Sequence, residues 1–428
     1  MIQKSKPNSK LKTQNSKLLL ILHTSDWHLG QKFNNQQQRD EEQALALDWL
    51  LDTIRNTGAE ALVVAGDVFD VNNPPITAER LYYRFLNELK TSTNCRHVVI
   101  VGGNHDSPSK LNAPRELLRA FDIHVVGAAP ESAAAAVLTL RQADGTPELL
   151  VAAVPFLRER DVGATVPGEN VEERITRIRQ GIADYYQAMG EAVETELKNL
   201  DQKVPVLATG HLVATGASSS GEQRNIYLGN LDNISADQLP AVFDYVALGH
   251  IHRPQRIGKQ NRIRYSGSLI PLSFGELGDQ KIVLLVEMTP EKGLAKVTEL
   301  SVPVFRRLIA LQGRFEELAE QIPALHDPEA PLPAWLKLTV SAKDLPMDVN
   351  DRLRALIRGL NLDILRLEID RSQSASETAA DAPEENLRLL SVEAVFRRRC
   401  EAEGLSEEAG AVLMGTFREL REWMEGED

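Results

Sequence analysis

The chain has 428 residues, of which 43% are hydrophobic, enough for two or three domains with real cores. Its net charge of -13 argues against a protein whose whole surface binds polyanions, so any DNA-binding surface must be local. The two cysteines, Cys95 and Cys400, lie far apart without a CxxC pattern, which is typical of a reducing compartment and argues against a disulfide scaffold or a thiolate zinc site.

The first 17 residues are polar and rich in Lys, Asn, Gln and Ser, so we predict a disordered tail over 1–17. They contain no apolar run of signal-peptide length, and the apolar run at 18–22 is too short to span a bilayer. We therefore expect a cytoplasmic protein that does not associate with a membrane.

Strand and helix patterns then alternate along the chain. Apolar spacing predicts helices over 35–56, 76–89, 115–120 and 169–199, and apolar runs predict strands near 18–22, 61–65, 97–101, 123–126, 149–154, 204–209, 245–248, 281–288 and 294–300. The Gly- and Ser-rich segment 214–230 is typical of a long surface loop. This order predicts an α/β domain over 18–302, with helices covering a sheet.

The composition changes near Pro303. The strands and helices predicted over 303–371 indicate a small separate α+β unit, and residues 372–386 have the composition of a linker. The sequence pattern over 387–428 predicts a helix-loop-helix segment. Its second helix carries an apolar stripe made of Val412, Leu413, Phe417, Leu420, Trp423 and Met424. The stripe either packs on this chain's own domains or, as its place after a linker favours, docks to a partner.

Five strand-to-loop junctions carry residue types that bind metal ions. They are Thr24-Ser25-Asp26-Trp27-His28, Gly66-Asp67-Val68-Phe69-Asp70, Gly103-Asn104-His105-Asp106, Gly210-His211 and Gly249-His250-Ile251-His252. One such match often arises by chance, whereas five in one chain indicate a site. In an extended segment Asp26 and His28 would point to the same side.

The candidate metal ligands are Asp26, His28, Asp67, Asn104, His211, His250 and His252, with Asp70 and His105 beside them. Carboxylate, amide and imidazole groups without a thiolate favour manganese, magnesium or iron over structural zinc. Seven ligands are too many for one ion but suit two ions that share a carboxylate, the arrangement that clamps attacking and leaving oxygens in phosphoester displacement.

Together these motifs resemble the calcineurin-type metallophosphoesterase family. The strings from Thr24 to Gly30 and from Gly66 to Asp70 are similar to its SbcD family in particular, the bacterial DNA exonuclease subunits. The likeness covers 18–302 with specific motifs and the rest more loosely. It implies a sandwich of two mixed β-sheets flanked by helices, then a small α+β capping domain and a C-terminal helical hairpin.

Carried over to this chain, the resemblance implies two metal positions. One would be held by Asp26, His28, Asp67 and His252, and the other by Asp67, Asn104, His211 and His250, with Asp67 bridging. His105 matches the family histidine that protonates the leaving oxygen or stabilises the phosphorane. Some relatives have a histidine where this chain has Asp70, so Asp70 either orients His105 or caps the loop.

The resemblance also supplies the expected activity. It implies two divalent ions, Mn²⁺ first and Mg²⁺ or Fe²⁺ as alternatives, a 3'-5' exonuclease on double-stranded DNA ends and an endonuclease on single-stranded or hairpin DNA, acting in DNA repair, recombination and replication. It implies an ATP-dependent complex with an SbcC-type ATPase, with this chain as a homodimer within a heterotetramer. The chain has no Walker-type Gly-rich loop, in agreement with an ATPase on another chain.

Two other functions are compatible with parts of the sequence. A phosphoesterase for small molecules, such as a nucleotidase, would explain the metal ligands but not the C-terminal helices. A DNA-end-binding scaffold with structural metals would not need His105.

Five basic residues with no acid among them, Arg253, Arg256, Lys259, Arg262 and Arg264, either form a solvated hairpin tip or contact the DNA backbone. We interpret His23, His97, His124 and His326 as structural.

Overall fold

We describe the protein from a computed structural model. The structure describes residues 18–370, apart from 35–36, 164–165, 216, 218–233 and 343–344, together with 413–414 and 416–417. The predicted tail, the linker, nearly all of the C-terminal helical segment and most of the predicted loop over 214–230 lie outside the described residues.

Within the described residues, the helices and strands that the sequence pattern predicts occur in the predicted order, together with further short elements. The strands are β1 (Leu19–Thr24), β2 (Lys32–Phe33), β3 (Gln37–Gln38), β4 (Ala61–Ala65), β5 (His97–Val101), β6 (Ile123–Val126), β7 (Val137–Arg141), β8 (Pro147–Ala152), β9 (Val206–His211), β10 (Tyr245–Gly249), β11 (Gln255–Arg256), β12 (Ile263–Tyr265), β13 (Ile282–Thr289), β14 (Gly293–Ser301), β15 (Leu308–Gly313), β16 (Ala334–Ser341) and β17 (Leu362–Asp370). The α-helices are α1 (Asp40–Thr57), α2 (Ile76–Ser92), α3 (Pro108–Asn112), α4 (Arg115–Arg119), α5 (Val171–Asn199), α6 (Phe315–Gln321) and α7 (Val349–Leu356).

Two six-stranded mixed sheets form the first and larger part of the molecule. The first has the strand order β14-β13-β1-β4-β5-β6, and the second has the order β11-β12-β10-β9-β8-β7. Strands β1, β4, β5 and β6 run parallel, as do β8, β9, β10 and β12, while antiparallel strands complete each sheet. The predicted sandwich of two mixed sheets is confirmed.

Apolar side chains on both faces of each sheet explain this layering. Between the sheets, Ile21, Val63 and Val99 from the first sheet share a core with Leu207 and Ala247 from the second. On the outer face of the first sheet pack α1 and α2, and on that of the second packs α5. Strands buried on both faces read as continuous apolar runs, and so the sequence located them well.

Residues 308–370 form a third, smaller sheet with its own core. Strands β15, β16 and β17 are parallel, and α6 and α7 contribute Leu318 and Leu353 to the cluster beneath them. We call this the three-stranded unit. It contacts the sandwich through Trp335, which packs with Phe33 and Phe274.

Element boundaries differ from the sequence prediction at a few places. The helix predicted over 35–56 begins instead at Asp40, because Gln37–Gln38 form β3 and three acidic residues, at 40–42, favour a helix N-terminus there. Strand β7 was not predicted, since it is an edge strand whose side chains are only partly buried. Within the part of the chain that the structure describes, no helix combines the length and apolar character needed to cross a bilayer.

Candidate metal centre

All five predicted junctions lie at the carboxyl ends of central strands. Those after β1, β4 and β5 belong to the first sheet, and those at the ends of β9 and β10 to the second. Carboxyl ends of parallel strands share one edge of a sheet, and here the edges of both sheets meet at one end of the sandwich. Backbone bonds join neighbouring junctions, such as Asp26 N to Gly66 O at 3.0 Å and His28 N to Asp67 O at 3.0 Å.

Glycine precedes four of the ligand positions because the junctions approach one another closely. A Cβ atom at Gly249 would lie 1.9 Å from the carbonyl oxygen of Ala65, and one at Gly103 would lie 2.1 Å from a carboxylate oxygen of Asp67. Any side chain at these positions would push the two sheets, or two neighbouring strands, apart. Glycine at these positions is therefore a packing requirement of the site.

Strained backbone is concentrated at the same place. Asp26, His28, Asp67 and His250 have φ values of 52°, 45°, 50° and 99°, in the left-handed region that non-glycine residues seldom adopt. Such conformations cost about 1–3 kcal/mol each and persist where the surroundings fix them, commonly at functional sites. Four predicted ligands in this conformation set this end of the sandwich apart.

The first group of ligand atoms comes from Asp26, His28 and His252, which lie within 4.8 Å of one another. The Asp26 carboxylate accepts hydrogen bonds from Ser25 Oγ at 2.5 Å and from His250 N at 2.9 Å. In His28, Nδ1 pairs with Asp70 Oδ1 at 3.0 Å, while the buried Nε2 has no hydrogen-bond partner among the described residues. A buried ring nitrogen without a partner, aimed at carboxylates, fits a metal ligand.

The second group consists of Asp67, His211 and His250, again with ligand atoms within 4.8 Å of one another, and Asn104 joins it. His211 turns Nδ1 to the carbonyl oxygen of Ala65 at 2.9 Å and so presents Nε2, which lies 3.2 Å from Asp67 Oδ2. Asn104 Oδ1 lies 3.0 Å from His211 Nε2 and 2.9 Å from His250 Nδ1. These atoms converge on one point.

Asp67 stands between the two groups. Its Oδ2 atom is 3.5 Å from His28 Nε2 and 3.2 Å from His211 Nε2, and its Oδ1 accepts the amide of His105 at 2.9 Å. The neighbouring imidazoles hold the pKa of Asp67 far below its usual range despite burial, so this carboxylate stays charged.

The carboxylates of the site also shift the pKa values of the histidines. Burial disfavours a charged ring, but the hydrogen bond that His28 donates to Asp70 and the charges of Asp67 and Asp26 outweigh it and raise the pKa of His28 to about 9. Burial opposes the charge on His211 too, yet the charge of Asp67 raises the pKa of His211 to about 9, whereas burial and the nearby His211 lower the pKa of His250. The site is thus built to attract positive charge, in agreement with divalent cations at this point.

His105 and Asp70 lie at the border of this site. His105 Nδ1 donates to the backbone oxygen of Asp70 at 2.7 Å, and its ring centroid is 4.9 Å from that of His28. The Asp70 carboxylate pairs with His28, and the main-chain carbonyl of Asp70 accepts the hydrogen bond from His105. The two alternatives for Asp70, orienting His105 or capping the loop, both stay predictions.

Three further side chains support the ligands and were not singled out from the sequence. Asp106 is buried and accepts the amides of Val68, Phe69 and Gly103, which ties the second and third junctions together. Gln43 on α1 donates to His28 O at 2.7 Å. Glu276 accepts from His252 Nδ1 at 3.1 Å, and this contact with the buried carboxylate, together with Lys281, lowers the pKa of Glu276 to about 2. Only Asp106 stands within a recognisable motif.

Most of the basic residues after His252 are paired with other groups of the protein. Arg264 is buried and paired with Glu299, Arg253 pairs with Asp279 at 2.8 Å, and Arg262 donates to the carbonyl oxygen of Phe243 at 3.1 Å. Arg256 and Lys259 are exposed. The five residues are therefore neither a wholly solvated tip nor a continuous basic surface.

The comparisons with known proteins agree with this geometry. The family described as calcineurin-like phosphoesterase matches residues 19–254, and the one described as type 5 capsule protein repressor C-terminal domain matches residues 304–404. A protein named as the SbcD subunit of the nuclease SbcCD, from Escherichia coli (strain K12), is 40% identical over 95% of this chain and 99% of its own length. Proteins of the same name from Rhodobacter capsulatus and Bacillus subtilis are 31% and 33% identical over 88% and 63% of this chain, and 93% and 66% of their own lengths.

The phosphoesterase match covers more than half of the chain, and it includes all seven predicted ligands. It implies that the chain binds divalent metal ions. Together with the identity to the curated relatives along almost its whole length, it shows that the chain belongs to the SbcD family of calcineurin-like phosphoesterases.

Proposed function

We propose that this chain is the metal-dependent nuclease subunit of an SbcCD-type complex and hydrolyses DNA phosphodiester bonds. One observation carries the proposal. Two groups of ligand atoms flank Asp67 at one end of the sandwich, beside His105, in a chain whose relatives are named as subunits of the nuclease SbcCD. We propose 3'-5' exonuclease activity on duplex ends and endonuclease activity on hairpins, in an ATP-dependent complex with an SbcC-type ATPase.

We assign two divalent ions to the site, with Mn²⁺ as the proposed metal. Asp26, His28 and His252 hold one, Asn104, His211 and His250 hold the other, and Asp67 serves both. The spacing of the Asp67 oxygen from His28 and His211 supports a shared ligand. When bound, such a pair supplies the Lewis acidity that phosphodiester hydrolysis requires.

The chain's own residues supply the remaining chemistry. Because His105 Nδ1 donates to the Asp70 carbonyl, Nε2 is the atom left to face a substrate, and we propose that it gives a proton to the leaving oxygen of the DNA strand. The main-chain carbonyl fixes the ring while leaving it half-buried and reachable from solvent. Asp70 and Glu276 orient the rings of His28 and His252 toward the ions.

We propose that a second copy of this chain docks on the face formed by α2, α3 and α4. Large apolar side chains are exposed there, with Ile76 at 73%, Leu117 at 67% and Phe121 at 55% of their full exposure. The ion pair of Glu79 with Lys110 at 2.6 Å joins α2 to α3. A patch of this kind is a common sign of a protein interface.

The other parts of the chain have proposed roles of their own. We propose that 1–17 is a tail, that 18–302 is the nuclease domain, that 303–371 caps the active site and helps to admit DNA, and that 387–428, after the linker 372–386, binds the base of the SbcC coiled coil. The contact of Trp335 with Phe33 and Phe274 supports the capping role. We propose a cytoplasmic location from the cysteine usage.

The test is digestion of a labelled duplex and of bis-nitrophenyl phosphate with Mn²⁺, comparing wild type with His105→Ala and with bound metal measured in both. We expect DNA cleavage to fall about 10²- to 10⁴-fold while metal is retained. Cleavage of the small diester but never of DNA, even with an SbcC-type partner and ATP, would favour a small-molecule phosphoesterase. Wild-type cleavage by the variant would remove His105 from the reaction.

A further inference from the structure

His252 is held at both ends by residues outside the recognised motifs. Its ring Nδ1 pairs with Glu276 Oε1 at 3.1 Å, which leaves Nε2 to face Asp26 and His28. Its backbone oxygen accepts from Lys281 Nζ at 2.9 Å and from the amide of Ser268 at 3.3 Å. Both the direction and the tautomer of this ring are therefore fixed by its neighbours.

Glu276 is in turn locked in place. Only 2% of the residue is exposed, and its second oxygen, Oε2, accepts from Lys281 Nζ at 2.5 Å and from the amide of Leu272 at 3.2 Å. Lys281 is itself buried and also donates to Ser268 Oγ at 2.9 Å. A buried ion pair with these added hydrogen bonds forms a rigid support rather than a surface contact.

The turn that carries Glu276 also carries the contact with the three-stranded unit. Phe274, two residues before Glu276, packs on Phe33 at a ring-centroid distance of 5.2 Å, and Phe33 lies 5.1 Å from the Trp335 ring of β16. The side chains of Gln31 and Arg39 hold the residues just before Phe274. Gln31 donates to Leu272 O at 3.1 Å and Arg39 donates to Pro271 O at 2.6 Å.

We propose that Glu276 is a positioning residue for the metal ligand His252, and that the packing of Phe274 and Phe33 with Trp335 makes this positioning depend on docking of the three-stranded unit. The inference rests on the proposed function, since it needs an ion at the Asp26, His28 and His252 position. It adds to that function, because a movement of the three-stranded unit would alter metal binding without a direct contact between that unit and a ligand.

The first experiment measures Mn²⁺ binding by equilibrium dialysis with metal analysis, in wild type, Glu276→Gln and Asp279→Asn. Asp279 is a matched control, since it pairs with Arg253 next to His252 but does not contact the ring. We expect Glu276→Gln to weaken one of the two ions about 10- to 100-fold, the usual cost of removing a partner of a ligand histidine, and to leave the other ion unchanged. Asp279→Asn should bind as wild type does. Two ions of wild-type affinity in Glu276→Gln would overturn the proposal.

Because Glu276→Gln leaves Lys281 as a buried charge without its counterion, thermal unfolding of each variant is measured as well. Should that variant unfold, Glu276→Gln combined with Lys281→Met removes both charges and is measured in its place. The same loss of one ion is expected from it, and wild-type binding of both ions again overturns the proposal.

The second experiment tests the link to the three-stranded unit with Trp335→Ala, which changes a residue of β16 that is not itself a candidate ligand. We expect the same ion to be weakened severalfold and the other ion to be unaffected. Unchanged binding in Trp335→Ala, with weakened binding in Glu276→Gln, would overturn the dependence on docking. If the wild type itself bound no Mn²⁺, the proposed function would fail first and this inference with it.

Discussion

The two ends of the sandwich both bury histidines beside carboxylates, and the partners of the ring nitrogens differ. At the amino end of β5, His97 pairs through Nδ1 with Asp122 at 2.5 Å and through Nε2 with Glu148 at 2.6 Å. At the carboxyl end of β1, His28 pairs through Nδ1 with Asp70, but its Nε2 has no hydrogen-bond partner among the described residues.

The difference separates a structural network from a binding site. Both nitrogens of His97 are satisfied by the chain, and Glu148 also pairs with Arg96, so this cluster ties the first sheet to the second and needs nothing else. At the other end His28 Nε2 is buried without a hydrogen-bond partner among the described residues, beside the Asp26 and Asp67 carboxylates and next to backbone in the left-handed region. An unsatisfied nitrogen held by strained backbone indicates that a ligand completes the site.

The largest effect should come from Asp67→Asn, which changes the carboxylate that we propose serves both ions. The substitution keeps the shape but removes the charge that the two ions would share, and we expect both to be lost and DNA cleavage to fall at least about 10³-fold, since bound metal is worth several kcal/mol in such reactions. Metal content and cleavage rates measure this.

Asp122→Asn is the matched change at the opposite end. It removes a carboxylate from His97 and His124, so it should lower the thermal stability while metal content and cleavage remain as in wild type. Equal loss of metal from both variants would show that the two ends are not independent.

A second effect concerns close packing at the site. Gly249→Ala would place a Cβ atom 1.9 Å from Ala65 O and 2.9 Å from His211 Nδ1, so we expect a loss of about 1–3 kcal/mol in the free energy of unfolding together with weaker metal binding. Gly145→Ala is the control. Its φ of 84° is unfavourable for alanine, but nothing lies within 4 Å, so it should cost about 1 kcal/mol and leave metal binding intact. Chemical denaturation and Mn²⁺ titration distinguish the two.

The sequence identified the candidate ligands better than the residues that support them. Candidate ligands such as Asp26 and His28 stand in short motifs at the ends of apolar strands, so local pattern and chain order sufficed to single them out. Asp70 stands in the second motif, but its pairing with His28 spans 42 positions, and Glu276, which pairs with His252 over 24 positions, stands in no motif. Such contacts depend on how the turns pack after folding, and no local pattern records them.

The fold shows the same division. Strand positions followed from continuous apolar runs, because both faces of these strands are buried. Strand order did not, since β13 pairs with β1 although more than two hundred residues separate them. The resemblance supplied the two-sheet architecture, and the unpredicted strand β7 is an edge strand without a clear apolar pattern.

A third prediction concerns the pH dependence of stability at the structural end, measured without metal. Burial opposes the charge on His97, but Asp122 and Glu148 outweigh it and raise the pKa of His97 above 6.5, while the histidine partners lower the pKa values of both acids below 3.8 and 4.5. The stabilisation is therefore full between about pH 4.5 and 6.5.

Above pH 6.5 this stabilisation is lost as the pH rises through the raised pKa of His97, and below pH 4.5 it is lost as the pH falls through the lowered pKa values of the acids. We expect the difference in melting temperature between wild type and His97→Gln to be largest within this window and to shrink on either side. A difference that does not vary with pH would mean that His97 contributes packing alone.

The smallest effect should come from the exposed basic residues near the site. Each phosphate contact contributes about 0.9 to the slope of log affinity against log salt concentration, so Arg256→Gln with Lys259→Gln should reduce the slope for duplex DNA by at most about 1.8. Arg264→Gln is the control, because its buried pairing with Glu299 predicts lower stability and an unchanged slope. An unchanged slope in the double variant would mean that Arg256 and Lys259 do not contact the DNA backbone. A changed slope in Arg264→Gln would mean that a paired, buried arginine contacts the DNA.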